Sequence, residues 1–141
     1  MFIAVDFDGT IVKHKYPEIG EEIPFAIQTL RMIQSELRHN IILWTVREGE
    51  LLEEAVEYCK SRGLEFYAVN ANHPDCTGND SPRKLIADMY IDDRNFGGVP
   101  DWGFIYNALK YRPDECFSPE IFQQNEERLP KAKKRGLFRH K

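Results

Sequence analysis

The sequence predicts an α/β fold in which a central parallel sheet is covered by helices on both faces. Four short segments consist almost entirely of apolar residues, as strands buried on both faces of a sheet do. Segments with helical signals separate these strands, and this alternation is typical of a parallel sheet. The chain has 141 residues, which is enough for one such domain. The predicted strands are 2–5, 41–44, 66–69 and 89–91.

The segments between and after the strands carry the sequence signals of helices. In the longer ones, apolar residues recur at helical spacing. Pro24 stands where proline favours the start of a helix, and Gly63 stands where glycine favours its end. Pro82 indicates a further, short helix that leads into the fourth strand. The predicted helices are 24–38, 50–62, 81–87 and 102–110.

Composition and charge limit the classes of function. Hydrophobic residues make up 42% of the chain and charged residues 30%, as in soluble globular proteins, and the net charge of −4 gives no overall case for nucleic-acid binding. No apolar run approaches the length that crosses a bilayer, so we expect no membrane association. Met1 leads directly into the first strand without a signal peptide, and the three cysteines are widely spaced. We therefore expect a cytoplasmic protein with reduced thiols.

Polar residues follow the predicted strands at the points where the strands end. Asp6 and Asp8 come directly after the first strand and project to the same side if its geometry continues. Thr45 follows the second strand, and Asp92 and Asp93 follow the fourth. Because ligands bind outside the carboxyl ends of parallel strands, we expect these residues to converge on one crevice. Carboxylates held together need a counter-charge, and Mg²⁺ prefers such oxygen ligands.

These residues occur in the order of a known set of motifs. The segment Asp6-Phe7-Asp8-Gly9-Thr10 resembles motif I, Asp-x-Asp-x-Thr, of the haloacid dehalogenase (HAD) superfamily of phosphohydrolases. Thr45 at the end of an apolar strand resembles motif II, and Lys84, shortly before the fourth strand, resembles motif III. Asp92-Asp93 resembles motif IV. The resemblance implies a Rossmann-like three-layer sandwich.

The resemblance also implies a reaction, the hydrolysis of a phosphate monoester with Mg²⁺. Asp6 would be the nucleophile and form an aspartyl-phosphate. Asp8 would protonate the leaving oxygen and then take a proton from the attacking water. Thr45 and Lys84 would bind the phosphoryl group. Asp6, the backbone carbonyl of Asp8, and Asp92 would ligate the metal.

Two further residues have supporting roles that stay open at this point. Asp93 could bind the metal through water or hold Lys84 in place. Arg47 lies just beyond the motif II strand, where it could contact the substrate or form a surface salt bridge.

The spacing of the motifs leaves no room for a large cap domain, which many HAD proteins place over the site. Only a short flap and one helix separate motif I from motif II. An open site suits a large phosphorylated substrate, or a cap supplied by another subunit or by the tail. Two alternatives stay open beside a phosphatase: a phosphotransferase that uses the same intermediate, and a non-catalytic phosphate-binding or regulatory module.

The C-terminal part of the chain differs from the rest. We interpret residues 1–110 as the catalytic core domain and 111–141 as an extension. Residues 128–141 carry seven basic residues and no acidic one. A solvated, partly disordered tail and a contact with a polyphosphate or a nucleic acid are both compatible with this charge.

Overall fold

The computed structural model describes residues 1–76 and 83–122. Within them, four parallel strands form one sheet in the spatial order β3-β2-β1-β4. This confirms the predicted α/β, Rossmann-like fold, and the described part of the chain contains no large cap domain. The strands are β1 (Phe2–Val5), β2 (Asn40–Leu43), β3 (Ala68–Val69) and β4 (Met89–Ile91).

The register of the sheet brings the ends of three strands to the same edge. Val5 at the end of β1 pairs with Leu43 of β2 on one side and with Ile91 of β4 on the other. The hydrogen bonds continue one residue further, because the Asp6 N–H donates to the Ile91 carbonyl (3.0 Å) and the Trp44 N–H donates to the Val5 carbonyl (2.9 Å). The residues that follow the three strands therefore start from adjacent points.

The three long helices lie close to their predicted positions. They are α1 (Ala26–Ser35), α2 (Gly49–Ser61) and α3 (Trp102–Tyr111). Helix α1 is shorter than the predicted range 24–38, because Phe25 before it and Arg38 after it have φ values of 68° and 57°. These left-handed conformations are incompatible with a right-handed helix. Gly63 has a φ of 85° just after α2, as expected of a glycine that ends a helix.

The short helix predicted over 81–87 is not formed in the described part of that segment, so this prediction is wrong. The Ile86 N–H donates to the side-chain oxygen of Asn72 (2.9 Å), and the Leu85 carbonyl accepts a hydrogen bond from the Tyr90 hydroxyl. Leu85 is fully buried in a core cluster. Tertiary packing and long-range hydrogen bonds thus replace the helical pattern. The first two residues of the predicted helix lie outside the described residues.

The chain divides into two compact units. The first, Met1–Tyr106, contains the whole sheet, and the second begins at Asn107. The described part of the second unit contains the end of α3 and two short 3-10 turns, Pro113–Glu115 and Pro119–Ile121. The basic segment 128–141 lies outside the described residues. None of the helices in the described ranges combines the length and apolar character needed to cross a membrane.

Candidate active site

A cavity of about 540 Å³ opens where β1, β2 and β4 end. Four of the residues that the sequence singles out line it: Asp6, Asp8, Thr45 and Asp92. The structure therefore brings together residues from three strand ends. The rest of the lining consists of residues to which the motifs assign no role: His14, Tyr16, Trp44, Val46 and Arg94.

Three carboxylates form an acidic cluster at this edge of the sheet. Oxygens of Asp6, Asp92 and Asp93 all lie within 4.8 Å of one another. The Thr10 hydroxyl joins two of these residues, because it donates to Asp6 Oδ2 (3.4 Å) and accepts from the Asp93 N–H (3.0 Å). Gly9 has a φ of 85°, and a Cβ there would lie 2.2 Å from Asp93 Oδ2. Only glycine at this position permits the close approach of Asp93.

The electrostatics of the acidic cluster favour a bound cation. Burial, followed by the negative charge of Asp92, raises the pKa of the Asp6 carboxyl from 3.8 to about 7. When the carboxylates of the cluster are ionised, Asp93 Oδ1 is buried without a hydrogen-bond donor among the described residues, and leaving such an oxygen unpaired is costly. A divalent cation would relieve both costs, and hard oxygen donors fit Mg²⁺. Asp6, Asp92 and Asp93 are the side chains that would hold it.

The Asp8 side chain is bound by Arg47 and is not a member of the acidic cluster. Arg47 Nε donates to Asp8 Oδ2 and Arg47 Nη2 donates to Asp8 Oδ1, both at 2.7 Å. Arg47 is fully buried and Asp8 is 7% exposed, so the surface salt bridge considered for Arg47 is wrong. The pairing with Asp8 raises the pKa of Arg47. Such bidentate, charge-assisted pairs have strict geometry, which fixes the orientation of the carboxylate.

The remaining N–H groups of Arg47 bind backbone carbonyls. Nη1 donates to the carbonyls of Pro17 (3.1 Å) and Leu51 (3.4 Å), and Nη2 donates to that of Glu18 (3.0 Å). All five N–H groups of the guanidinium are therefore used. Because Pro17 and Glu18 belong to the flap that follows β1, Arg47 joins this flap to Asp8. The sequence offers one signal for this residue, its position two residues after Thr45.

Thr45 is held in place by its neighbours. Its backbone N–H donates to Asn70 Oδ1 (2.8 Å), and its hydroxyl oxygen accepts the Arg47 N–H (3.2 Å). The Thr45 hydroxyl keeps its own hydrogen for donation to a ligand in the cavity. Nothing in the motifs points to Asn70, which follows the third strand as Thr45 follows the second.

The motifs assign the positive charge at the phosphate to Lys84, but the structure places Arg94 at the cavity instead. Lys84 is exposed, is not among the lining residues, and has its Nζ 5.5 Å from the centroid of the Tyr90 ring. Arg94 does line the cavity, and its backbone N–H donates to Asp92 Oδ1 (2.9 Å). Within the described ranges, the Arg94 guanidinium has no hydrogen-bond or ion-pair partner. Its position directly after Asp92-Asp93 is the signal that could have identified it.

Among solved structures, the chain is similar to a conserved protein from Bacteroides thetaiotaomicron. The two sequences are 61% identical, and the structures superpose with a TM-score of 0.70. The match covers 78% of this chain and 89% of the other, so the similarity extends over most of both. No model of a known protein family matches the chain, and no curated protein does.

Proposed function

This chain belongs to the same family as the conserved Bacteroides thetaiotaomicron protein, and we propose that it is a Mg²⁺-dependent phosphate monoester hydrolase that acts through an aspartyl-phosphate. One observation carries the proposal. The Asp6 carboxylate lies in the acidic cluster, whereas the Asp8 carboxylate, two residues later, is held apart from it by Arg47. A reaction that needs one carboxylate as nucleophile and another for proton transfer requires such a division. The resemblance to the HAD motifs supports the same assignment.

Asp6 is the nucleophile in this proposal. Its carboxylate oxygen forms a bond to phosphorus as the bond from phosphorus to the leaving oxygen breaks. Asp6 can attack only when ionised, and burial with two neighbouring carboxylates opposes ionisation. Mg²⁺, when bound, supplies positive charge that offsets the repulsion between these carboxylates and the phosphate. The Thr10 hydroxyl, which donates to Asp6 Oδ2, restricts the orientation of the nucleophile.

Asp8 carries the proton in this proposal. In the structure Asp8 is the anionic partner of Arg47, so it must take up a proton from solvent before the first step, in which it gives that proton to the leaving oxygen. As a carboxylate again, it takes a proton from the water that cleaves the aspartyl-phosphate in the second step. Arg47 occupies one acceptor position on each Asp8 oxygen, and each oxygen has a second lone pair for the proton or the water. Arg47 therefore acts as a positioning residue: it orients the acid without occupying all of its acceptor sites.

The phosphoryl oxygens need donors and positive charge. Thr45 can donate its hydroxyl hydrogen from the cavity wall. Arg94 lies at the cavity with no partner among the described residues, so we assign to it the positive charge that the motifs give to Lys84. The position of Lys84 beside Tyr90 favours a lesser role for that residue.

The test is Mg²⁺-dependent release of inorganic phosphate from p-nitrophenyl phosphate, followed by acid quenching and mass spectrometry. We expect turnover, together with a phosphoryl adduct on the wild-type protein that is missing in Asp6→Asn. Transfer of the phosphoryl group to an added alcohol, in preference to water, would indicate a phosphotransferase. Absence of turnover with a panel of phosphate esters, in a protein that still binds Mg²⁺, would leave the non-catalytic module as the better description.

A further inference from the structure

The active-site cavity has apolar walls that the phosphate chemistry does not use. Tyr16, Trp44 and Val46 line the same cavity as the catalytic acids. Tyr16 is 47% exposed and Val46 is 85% exposed, so both are open to a ligand. A phosphoryl group is bound by charges and hydrogen-bond donors, which these side chains lack apart from one hydroxyl and one indole N–H. They are therefore available to contact the other part of a phosphate ester.

The Tyr16 ring is exposed and yet fixed in position. The guanidinium carbon of Arg47 lies 5.2 Å from the ring centroid, within the range of a cation–π contact. The next two carbonyls along the chain, those of Pro17 and Glu18, accept hydrogen bonds from the same guanidinium (3.1 and 3.0 Å). Arg47 is itself fully buried and bound to Asp8. A ring held in this way loses little further freedom when a ligand binds.

The Trp44 side chain is held in place by the core. Its backbone N–H continues the sheet by donating to the Val5 carbonyl (2.9 Å). The side chain packs against a buried cluster, and its remaining surface lines the cavity. The cluster consists of Ala4, Ile42, Ala68 and Leu85. Two aromatic residues with restricted motion thus line the cavity that also contains Asp6 and Asp8.

We propose that the preferred substrates are small phosphate monoesters whose leaving group carries an aromatic ring, bound against Tyr16 and Trp44. This inference rests on the proposed phosphatase function. The volume of about 540 Å³ lies in the range typical of sites for small molecules. A pair of aromatic rings gains binding free energy beyond that of its buried area. An aliphatic group of equal size against the same ring lacks this additional gain.

The test compares benzyl phosphate with cyclohexylmethyl phosphate. Both leaving groups are primary alcohols of similar size, so the esters differ mainly in aromaticity. We expect the wild-type kcat/KM for benzyl phosphate to be about two- to tenfold higher. Tyr16→Leu, which keeps an apolar side chain but removes one of the two rings, should clearly lower the ratio, chiefly through KM. Phe25→Leu is the matched control, because Phe25 is 67% exposed and does not line the cavity.

Two results would overturn the inference and leave the phosphatase intact: equal kcat/KM for the two esters, or a preference for benzyl phosphate that is undiminished in Tyr16→Leu. If neither ester is hydrolysed, the proposed function is at fault, and the ring preference is then measured by binding. Calorimetric titration with benzylphosphonate and cyclohexylmethylphosphonate, which are not hydrolysed, measures the difference in affinity between the aromatic and the aliphatic compound. Tighter binding of the benzyl compound supports the aromatic site, and equal binding refutes it.

Discussion

Arg47 and Asp8 are 39 residues apart in the sequence and form two hydrogen bonds of 2.7 Å in the interior of the protein. The same guanidinium binds the carbonyls of Pro17 and Glu18, so one side chain connects the strand that carries the acid, the flap beside it and the segment after β2. Taking two charges out of water is expensive, and the pair is stable only because every donor is satisfied. Removing one partner leaves the other charge buried and alone.

Arg47→Met should therefore lower the free energy of unfolding by about 3–5 kcal/mol, the usual cost of breaking a buried ion pair. Urea denaturation measures this change. Lys13→Met is the matched control, because it breaks an ion pair with Glu21 (3.1 Å) on the exposed side of the flap. The control should cost less than about 1 kcal/mol.

A second, milder variant keeps the prediction testable if Arg47→Met does not fold. Arg47→Lys keeps the positive charge but loses the planar fork of five donors, so we expect an intermediate loss of stability and a reduced kcat. If Arg47→Met proves as mild as Lys13→Met, the Arg47–Asp8 pair does not stabilise the protein as the hydrogen bonds indicate.

Asp6→Asn should lower kcat by several orders of magnitude and leave the fold intact, because it removes the proposed nucleophile and replaces it with a side chain of the same shape. Phosphate release in the presence of Mg²⁺ measures the loss, and circular dichroism checks the fold. Asp75→Asn is the control, since the Asp75 side chain is 91% exposed. Near-normal turnover by a folded Asp6→Asn protein would rule out the mechanism.

The pKa of Asp6 predicts how stability depends on pH when Mg²⁺ is removed by a chelator. Folding raises this pKa from 3.8 to about 7, so the folded state disfavours the ionised form. The contribution to stability is complete below the unfolded pKa and is lost as the pH rises to about 7. Chelated wild-type protein should therefore lose stability over this range, and Asp6→Asn should show a smaller loss. Equal slopes in urea denaturation would exclude Asp6 as the source.

Mg²⁺ should bind to the acidic cluster and raise the melting temperature. Asp93→Asn and Asp92→Asn should each weaken Mg²⁺ binding by more than about tenfold, because each removes a charged oxygen donor from the cluster. Calorimetric titration measures the affinity, and the exposed Asp75→Asn variant should bind as the wild type does. The Asp93 variant is decisive, since the motifs leave open whether Asp93 binds the metal or Lys84. Unchanged affinity in that variant would exclude Asp93 from the metal site.

The fold could be predicted wherever a local pattern decides the structure. The sequence predicts strand β4 at Met89–Ile91, as the structure has it, because three apolar residues stand between polar ones. The helix predicted over 81–87 does not form in the described residues, because Leu85 packs in the core and the Ile86 N–H donates to Asn72 Oδ1. No pattern in the neighbouring sequence indicates either interaction. Long-range contacts of this kind are absent from any short window of sequence.

The same distinction applies to the site. Asp6 and Asp92 can be identified from the sequence because each follows an apolar strand. The carboxyl ends of neighbouring parallel strands lie at the same edge of the sheet. The role of Arg47 was not identifiable, since three of its five hydrogen bonds go to backbone carbonyls, which every residue possesses. Tyr16 was missed for a related reason. Its place in the cavity depends on how Arg47 holds the flap, which no spacing in the sequence encodes.

Variants of Arg94 and Lys84 test which of the two residues binds the phosphate: the structure favours Arg94, and the motif favours Lys84. Arg94 lines the cavity, whereas Lys84 does not and has its Nζ 5.5 Å from the centroid of the Tyr90 ring. Replacing either residue with methionine removes one positive charge and keeps a flexible, unbranched side chain. Arg94→Met should raise KM for p-nitrophenyl phosphate by about tenfold, the order expected from losing one charge-assisted hydrogen bond to a phosphate. Lys84→Met should change KM by less than about twofold, because the removal of an exposed charge away from the cavity has a small energetic effect. The opposite ranking would mean that Lys84 moves into the cavity when the phosphate binds, as the motif implies.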